Sequence, residues 1–436
     1  MTDLGAAPLA PVGEGERIVA LDVLRGAALF GIVMANLPFF SLPFLQVVGG
    51  PTTERLAPWD AAAWLLVQSL VNYKFISLFS LLFGAGFMVQ AARAASAGRS
   101  VAPTYLRRLL VLGLIGLVHA LLLWYGDILF IYAVLGTVLL LVRNLSPRGL
   151  VILAVVLLAV AFALATGVAV LEAAFASTAN GTAATAESSE AELALRGVEA
   201  LRASGGDPAT PVWVAGETAA YREGPFVDAL VFRAVTWLYT ILSAVFGFGW
   251  HVLALFVLGA AMMKTGFFGR EQRSRQVRFA RIGIAIGLPI ELGASILMLS
   301  QGQATGWLHA AATPLHAVGS VVLCLGYAGL IAAWANRDRR PAGVGVLSSL
   351  GRMALTCYLL QTVLATALFY WWGLGWFGSL GRASMILVAI GIYVAEAAFA
   401  MLWLRRFRMG PAEWVWRTLT YLHPPALRRA VASATV

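Results

Sequence analysis

Apolar blocks of about 20 residues, the length of a bilayer-spanning helix, alternate with short polar segments along most of the 436-residue chain. In lipid, a helix satisfies every backbone hydrogen bond within its own segment. The pattern therefore predicts an all-α, polytopic transmembrane helical bundle with about ten spans, at residues 18–39, 73–92, 106–125, 127–143, 149–171, 241–263, 280–300, 314–335, 347–371 and 383–404.

Two apolar stretches, 59–92 and 226–263, are longer than one span and too short for two spans joined by a loop. Each carries Trp and Tyr near its beginning, and these residues favour the membrane–water interface. We therefore expect each stretch to start with a helix lying near the outer interface and then to turn into the bilayer.

The balance of residue types excludes a soluble globular protein. Hydrophobic residues make up 60% of the chain and charged residues only 12%, too few to cover a soluble domain. The net charge of +10 comes largely from Lys and Arg in short loops. In a ten-span arrangement these loops all fall on one side, which places both termini in the cytoplasm. Membrane orientation thus explains the basic charge, and no nucleic acid partner is expected.

The spans divide the chain into five parts: a cytoplasmic tail (1–17), a first transmembrane half (18–172), a polar outer loop (173–228), a second transmembrane half (229–408) and a C-terminal cytoplasmic tail (409–436). The outer loop is mildly acidic, and 189–203 is predicted to form a short helix. It could be a lid over a site, but we favour a tolerated insertion. Cys324 and Cys357 lie in apolar stretches, so neither a disulfide nor a metal site is predicted.

Ionisable residues inside spans are costly and often functional. Asp22 and Arg25 are three residues apart near the inner end of the first span, so they share a helix face and can pair. This pair could dock the helix, or Arg25 could bind a phosphate. Asn36 follows Asp22 by 14 residues, about 21 Å along the axis, and is therefore expected near the outer surface.

His119 and Asp127 flank the short outer turn "WYGD" between the third and fourth spans. Asp127 could cap a helix, and His119 could bond another helix. We favour an acid–base pair in a cavity open to the outer side and lined also by Asn36. There Asp127 would fix the tautomer of His119 and leave its second ring nitrogen free to accept a proton.

Weaker candidates for a polar cavity are Lys74, Glu291, Tyr358 and Gln361, together with Asp22. Lys74 could instead extend to the interface, and for the others, as for His251 and His316, hydrogen bonds between helices are at least as good an explanation. The chain has no P-loop, nucleophile-elbow or zinc-protease motif.

Five segments, in order from residue 17 to about 421, resemble the YeiB-like membrane family, known as domain of unknown function 418. They are "LDVLRGAALFGIVMANL", "FSLLFGAGF", "RRLLVLGLIGLVHALLLWYGDILFIYAVLG", "GRMALTCYLLQ" and "RRFRMGPAEWVWRTLTY". The family usually has Asn at Cys357 and Ser at Thr362. The resemblance implies a multi-pass protein of the bacterial plasma (inner) membrane.

The first span is also similar, more distantly, to the heparan-α-glucosaminide acetyltransferase group of transmembrane acyltransferases, in the pattern of Asp22, Arg25, Gly26 and Asn36. That resemblance implies an acyl-CoA cofactor on the cytoplasmic side and an acceptor on the outer side. One departure is that the group has an essential His shortly after the Asn, whereas 37–58 contains none. His119 would have to replace it as the base.

We therefore expect a membrane O- or N-acyltransferase. Arg25, Arg107 and Arg108 would bind the phosphates of CoA, His119 would act as the base, and Asn36 would orient a reacting group or stabilise the oxyanion. The alternatives are a transporter that uses the same residues, or a non-catalytic membrane partner. The expected partners are the lipid bilayer and a small-molecule or glycan acceptor, and the chain could also form a homo-oligomer.

Overall fold

The computed structural model describes residues 17–50, 56–179, 188–301, 306–339 and 341–429. Within these ranges the chain forms α-helices and no β-strand. They are α1 (Val19–Ser41), α2 (Phe44–Val48), α3 (Pro58–Leu70), α4 (Lys74–Ser96), α5 (Ala102–Leu122), α6 (Leu129–Gly136), α7 (Val138–Val142), α8 (Pro147–Ala179), α9 (Glu190–Leu193), α10 (Gly197–Ala203), α11 (Pro211–Arg222), α12 (Phe226–Ser243), α13 (Gly249–Lys264), α14 (Arg273–Gln301), α15 (Trp307–Ala335), α16 (Val344–Arg352), α17 (Ala354–Phe369), α18 (Arg382–Arg406) and α19 (Pro411–Tyr421).

The protein is an all-α, polytopic helical membrane protein, as the hydrophobic pattern predicts. Eight helical stretches of the described residues are long and apolar enough to span a bilayer, and a bent pair, α16 with α17, makes a ninth. The fourth predicted span differs. Residues Leu129–Val142 form two short helices broken at Thr137, with a combined length of about 21 Å, which is less than the hydrocarbon thickness.

The two long apolar stretches do not make the sharp turn at the interface that we expected. Each is part of a helical stretch of 39 residues without a sharp bend, Pro58–Ser96 and Phe226–Lys264. The first is interrupted by a turn at 71–73, and the second contains a π-helical turn at Ala244–Phe248. Breaks of this kind are common at functional sites.

The sharp bend lies instead between α16 and α17, which meet at 84°. The first backbone amides of α17 have no partner within their own helix at such a bend. Glu413 of α19 supplies one: its Oε1 accepts hydrogen bonds from the backbone N–H groups of Leu355 (2.7 Å) and Thr356 (3.1 Å). The amphipathic C-terminal helix thus holds the bend in place.

Helix α1 is central and packs against α4, α15, α16, α17 and α18. Beside it, α4 and α13 approach each other closely through paired glycines. A Cβ at Gly84 would lie 1.8 Å from the carbonyl oxygen of Phe256, and one at Gly259 would lie 1.8 Å from that of Leu81. Only glycine fits at such positions, and small residues are how membrane helices obtain close packing.

The outer segment 173–228 is folded over much of its length, although 180–187 lie outside the described residues. Helix α8 continues to Ala179, and the single helix expected at 189–203 is two helices, α9 and α10. Helix α11 contacts the bundle directly: the buried carboxylate of Glu217 accepts a hydrogen bond from the backbone N–H of Phe44, and the carbonyl oxygen of Tyr221 accepts one from Trp371.

Candidate functional site

A cavity of about 540 Å³, here called the basic cavity, lies between helices from both halves of the chain. Six arginines and three carboxylates are among its lining residues, and most of the arginines come from different helices. The six are Arg17, Arg25, Arg93, Arg108, Arg352 and Arg417. Their convergence agrees with the charge pattern, which placed the basic loops at one end of the spans; we call it the basic end.

Two of the predicted arginines line this cavity. Arg25 donates a hydrogen bond to Asp22 (3.0 Å), as its spacing predicted, and Arg17 lies 3.7 Å from the same carboxylate. The guanidinium of Arg108 stacks on Trp416 of α19 at 3.9 Å from the ring centre. Arg107 does not line the cavity, because its Nε donates to the backbone carbonyl of Thr420. The helical period explains the difference: neighbouring residues of α5 point in different directions.

The opposite end of the basic cavity carries neutral polar groups and one carboxylate. Asn36, Asn72, Tyr73, Asp127 and Tyr358 are among its lining residues. Asn36 and Asp127 thus share one cavity, as the sequence predicted. Arg25 and Asn36 are eleven residues apart on α1, so about 16 Å of helix separates the arginines from these groups.

His119 and Asp127 form the predicted hydrogen bond. Both are buried, and Nδ1 of His119 donates to Oδ2 of Asp127 at 2.8 Å. The second ring nitrogen is not free, contrary to expectation: Nε2 lies 2.9 Å from the hydroxyl of Thr362 on α17. The imidazole is therefore bonded at both nitrogens, and Asp127, not His119, reaches the cavity wall.

Asp127 also caps a helix, which was the alternative reading of its position. Its Oδ1 accepts a hydrogen bond from the backbone N–H of Phe130 in the first turn of α6 (2.8 Å). The ring of Tyr358 packs against His119 with 5.3 Å between ring centres. The turn between α5 and α6 is thus fixed against α17 by His119, Asp127 and Tyr358 together.

Lys74 does not extend to the interface. It is fully buried, and its Nζ binds Oε2 of Glu291 on α14 and the backbone carbonyl of Gln68 (2.7 Å). The same Oε2 accepts a hydrogen bond from Nδ1 of His316 on α15 (2.9 Å). One carboxylate oxygen therefore joins three helices, α4, α14 and α15.

Gln361, which like Tyr358 was a candidate for a polar cavity, does not line the basic cavity. Its amide donates to Oε2 of Glu396 on α18 (2.9 Å) and to the backbone carbonyl of Leu29 (3.2 Å). Asp22 and Tyr358 thus line the basic cavity, whereas Lys74, Glu291 and Gln361 are buried between helices.

A second cavity of about 720 Å³, the distal cavity, lies beyond the far end of the basic cavity. Its lining is mainly apolar, with a few polar and ionisable groups, among them Gln68, Glu172, His251, His309, His316 and Arg382. The two cavities share five lining residues: Ala35, Phe39, Asn72, Tyr73 and Phe248.

Tyr73 therefore lies at the boundary between the cavities, at the break between α3 and α4. Its φ is 65°, the left-handed conformation that a residue with a side chain rarely adopts. Its ring meets His251 and His316 edge-on, at 5.9 Å and 5.3 Å between ring centres. Backbone strain of this kind concentrates at functional sites.

Sequence analysis gave little weight to the polar residues around the break at 71–73. It noted His251 and His316 but had no signal that α13, α14 and α15 would bring polar groups around one break in helix 58–96. Thr362 was noted only as a departure from the family pattern and Glu413 was not singled out, because a hydroxyl in a span and a carboxylate in a polar tail are common. No group of side chains in the described part of the chain could hold a metal ion.

Comparison with known proteins gives the family. The family described as "Protein of unknown function (DUF418)" matches residues 262–423. The uncharacterized protein YxaH of Bacillus subtilis (strain 168) is 33% identical over 95% of this chain and 96% of its own length. The uncharacterized protein YeiB of Escherichia coli (strain K12) is 32% identical over 93% of this chain and 96% of its own. No solved structure matches the chain. With whole-length similarity to these two relatives, the chain belongs to the YeiB-like, DUF418 family of membrane proteins.

Proposed function

We propose that the protein is a membrane acyltransferase that takes acyl-CoA from the basic end and transfers the acyl group towards the opposite side of the membrane. The basic end is taken as cytoplasmic, following the positive-inside rule. The observation that carries the proposal is the basic cavity, in which arginines from separate helices surround one end, and neutral polar groups and the carboxylate of Asp127 lie at the other.

The arginines suit the diphosphate and 3′-phosphate of CoA. Arginine binds phosphate through charge-assisted and often bidentate hydrogen bonds. Arg108 is stacked on Trp416 and Arg25 is bonded to Asp22, so both guanidinium groups are held in position before a ligand arrives. A preorganised site loses less conformational entropy on binding.

The end of the basic cavity opposite the arginines suits the thioester of acyl-CoA. An extended pantetheine arm is long enough to cover the separation between Arg25 and Asn36, about 16 Å along α1. The Asn36 amide would donate a hydrogen bond to the thioester oxygen as charge develops there. His119 is a positioning residue in this proposal, since it holds Asp127 on the cavity wall and is itself bonded at both nitrogens.

Titration of the purified protein in nanodiscs with acetyl-CoA tests the cofactor. Arg108→Ala should weaken binding several-fold and make it less sensitive to salt, because one phosphate contact is lost. Arg148→Ala is the matched control: it is an exposed arginine of another basic loop, outside the cavity lining. Equal losses in both variants, or no binding by the wild-type protein, would contradict the proposal.

A transporter is the second candidate, and one observation favours it. The helices are broken at 71–73 and bent by 84° between α16 and α17, and interrupted helices form the substrate sites of many transporters. A transporter would move an intact solute between the two cavities past Tyr73. It would consume no thioester, and this separates the two candidates.

A further inference from the structure

The distal cavity is lined by a histidine, His316, whose Nε2 is placed to accept a proton. We propose that the distal cavity is the acceptor site, that it takes an amphipathic alcohol or amine from the outer leaflet, and that Nε2 of His316 receives the acceptor's proton. The acceptor site is inferred from the geometry of the distal cavity alone, whereas the identity of the acyl donor rests on the proposed function.

A continuous chain of hydrogen bonds leads to His316. Asn72, which lines both cavities, donates its amide to Oε1 of Gln68 at 2.6 Å. That bond fixes the orientation of the Gln68 amide, so its Nε2 is the atom that faces Nε2 of His316, at 3.4 Å. The other ring nitrogen of His316 bonds Glu291.

These contacts determine the tautomer of His316. The Glu291 carboxylate, which also binds Lys74, can only accept, so Nδ1 of His316 carries the proton and donates it. Nε2 then presents its lone pair, which the Gln68 amide approaches at the long distance of 3.4 Å. A ligand hydroxyl or amine can replace that weak contact.

His316 differs from His119 in the two properties that a base needs. His316 lines the distal cavity and is 8% exposed, whereas His119 is 1% exposed and lines neither cavity. Nε2 of His119 has a hydroxyl partner at 2.9 Å, a shorter contact than the one Gln68 makes to His316. Both histidines are oriented by a carboxylate, but only His316 has a nitrogen that a ligand can reach.

The lining of the distal cavity indicates an acceptor with an apolar part. Three of its apolar residues are well exposed at the surface of the bundle: Val168 (49%), Leu242 (44%) and Phe246 (63%). They lie on two spanning stretches, α8 and the stretch containing α12 and the π-helical turn. The cavity thus reaches the lipid-facing surface, where an amphipathic molecule can enter sideways with its hydroxyl or amine towards His316.

The transfer step balances without a further reactant. The acceptor oxygen or nitrogen attacks the thioester carbonyl carbon, and its proton passes to Nε2 of His316. The new C–O or C–N bond forms as the C–S bond breaks, and the imidazolium returns the proton to the CoA thiolate. The thioester would arrive at the shared residues Asn72 and Tyr73 from the basic cavity.

Photolabelling tests the acceptor site without any acyl donor. The probe is a long-chain alcohol with a diazirine in its chain, in vesicles of phosphatidylethanolamine and phosphatidylglycerol that contain the full-length protein. We expect labelling around Val168 and Phe246, reduced several-fold by Ala165→Phe, which fills the cavity. Ala163→Phe is the matched control, exposed on the same helix and outside the lining. No labelling there, or equal labelling in both variants, would overturn the acceptor site.

His316→Gln tests the base. This variant should keep photolabelling and acetyl-CoA binding but lose transfer, while His423→Gln, at an exposed histidine of the basic end, should match the wild-type protein. Retained transfer in a folded His316→Gln protein would overturn the role of His316. The labelling result decides the acceptor site even if this variant does not fold. Absence of acetyl-CoA binding to the wild-type protein would instead refute the proposed donor, so the two failures are distinct.

Discussion

Nδ1 of His119 and Oδ2 of Asp127 lie 2.8 Å apart, although eight residues separate them in the chain. The turn between α5 and α6 brings them together, and both side chains are buried. Each also has a second partner: Thr362 for the imidazole and the backbone N–H of Phe130 for the carboxylate. The pair therefore connects the turn to α17 and places one carboxylate on the wall of the basic cavity.

His119→Asn should reduce the free energy of unfolding by about 2–3 kcal/mol, because a buried carboxylate loses its charge-assisted partner. Asp127→Asn should cost less, since its side-chain oxygen can still accept from Phe130. Unfolding in mixed micelles measures both. The double variant should cost clearly less than the two single changes added together, and additive losses would mean that the residues act independently.

The buried ion pair between Lys74 and Glu291 should behave as a unit. Lys74→Met or Glu291→Gln alone should lower stability by about 3–5 kcal/mol, because each removes the oppositely charged member of a buried ion pair. Combining the two changes should recover a large part of this loss. The same micelle unfolding assay tests this, and a double variant less stable than either single variant would contradict the pairing.

Glu217 should make the stability of the outer segment depend on pH. Burial raises the pKa of this carboxyl to about 7, while the bonds from Phe44 and Trp213 act in the opposite direction. The folded protein therefore holds the proton more tightly than the unfolded chain. The free energy of unfolding should fall as pH rises from about 4.5 to about 7, by up to about 3 kcal/mol.

Thermal unfolding across this pH range measures the effect. Glu217→Gln should remove this part of the pH dependence, while Glu223→Gln, at an exposed position on the same side, should preserve it. A slope unchanged by Glu217→Gln would show that another group titrates.

The orientation of the chain predicts the outcome of cysteine labelling. In a background without Cys324 and Cys357, a cysteine at Ser188 should react only with reagent outside the cell. One at Ser274, in the arginine-rich first turn of α14, should react only after permeabilisation. Reaction of both from the same side would contradict the alternation of spans on which the basic end is defined.

The fold class and the Asp22–Arg25 and His119–Asp127 contacts could be predicted from sequence, because hydrophobic length and local spacing determine them. The bend at Met353 could not, since it depends on Glu413, a residue 60 positions away that contacts the start of α17. The different surroundings of Arg107 and Arg108 required the position of α19. The chain of bonds from Asn72 to Glu291 required the packing of α3, α14 and α15, which no local pattern encodes.

The most direct test of the central claim is sided acyl transfer in sealed vesicles. The protein is reconstituted with native membrane extract as the source of acceptor, its orientation is determined by labelling at positions 188 and 274, and acyl-labelled acetyl-CoA is supplied on one side only. The account predicts that thioester is consumed, and label appears in the acceptor, only when acetyl-CoA faces the side of Ser274. Consumption only from the side of Ser188, or none from either side, would contradict it.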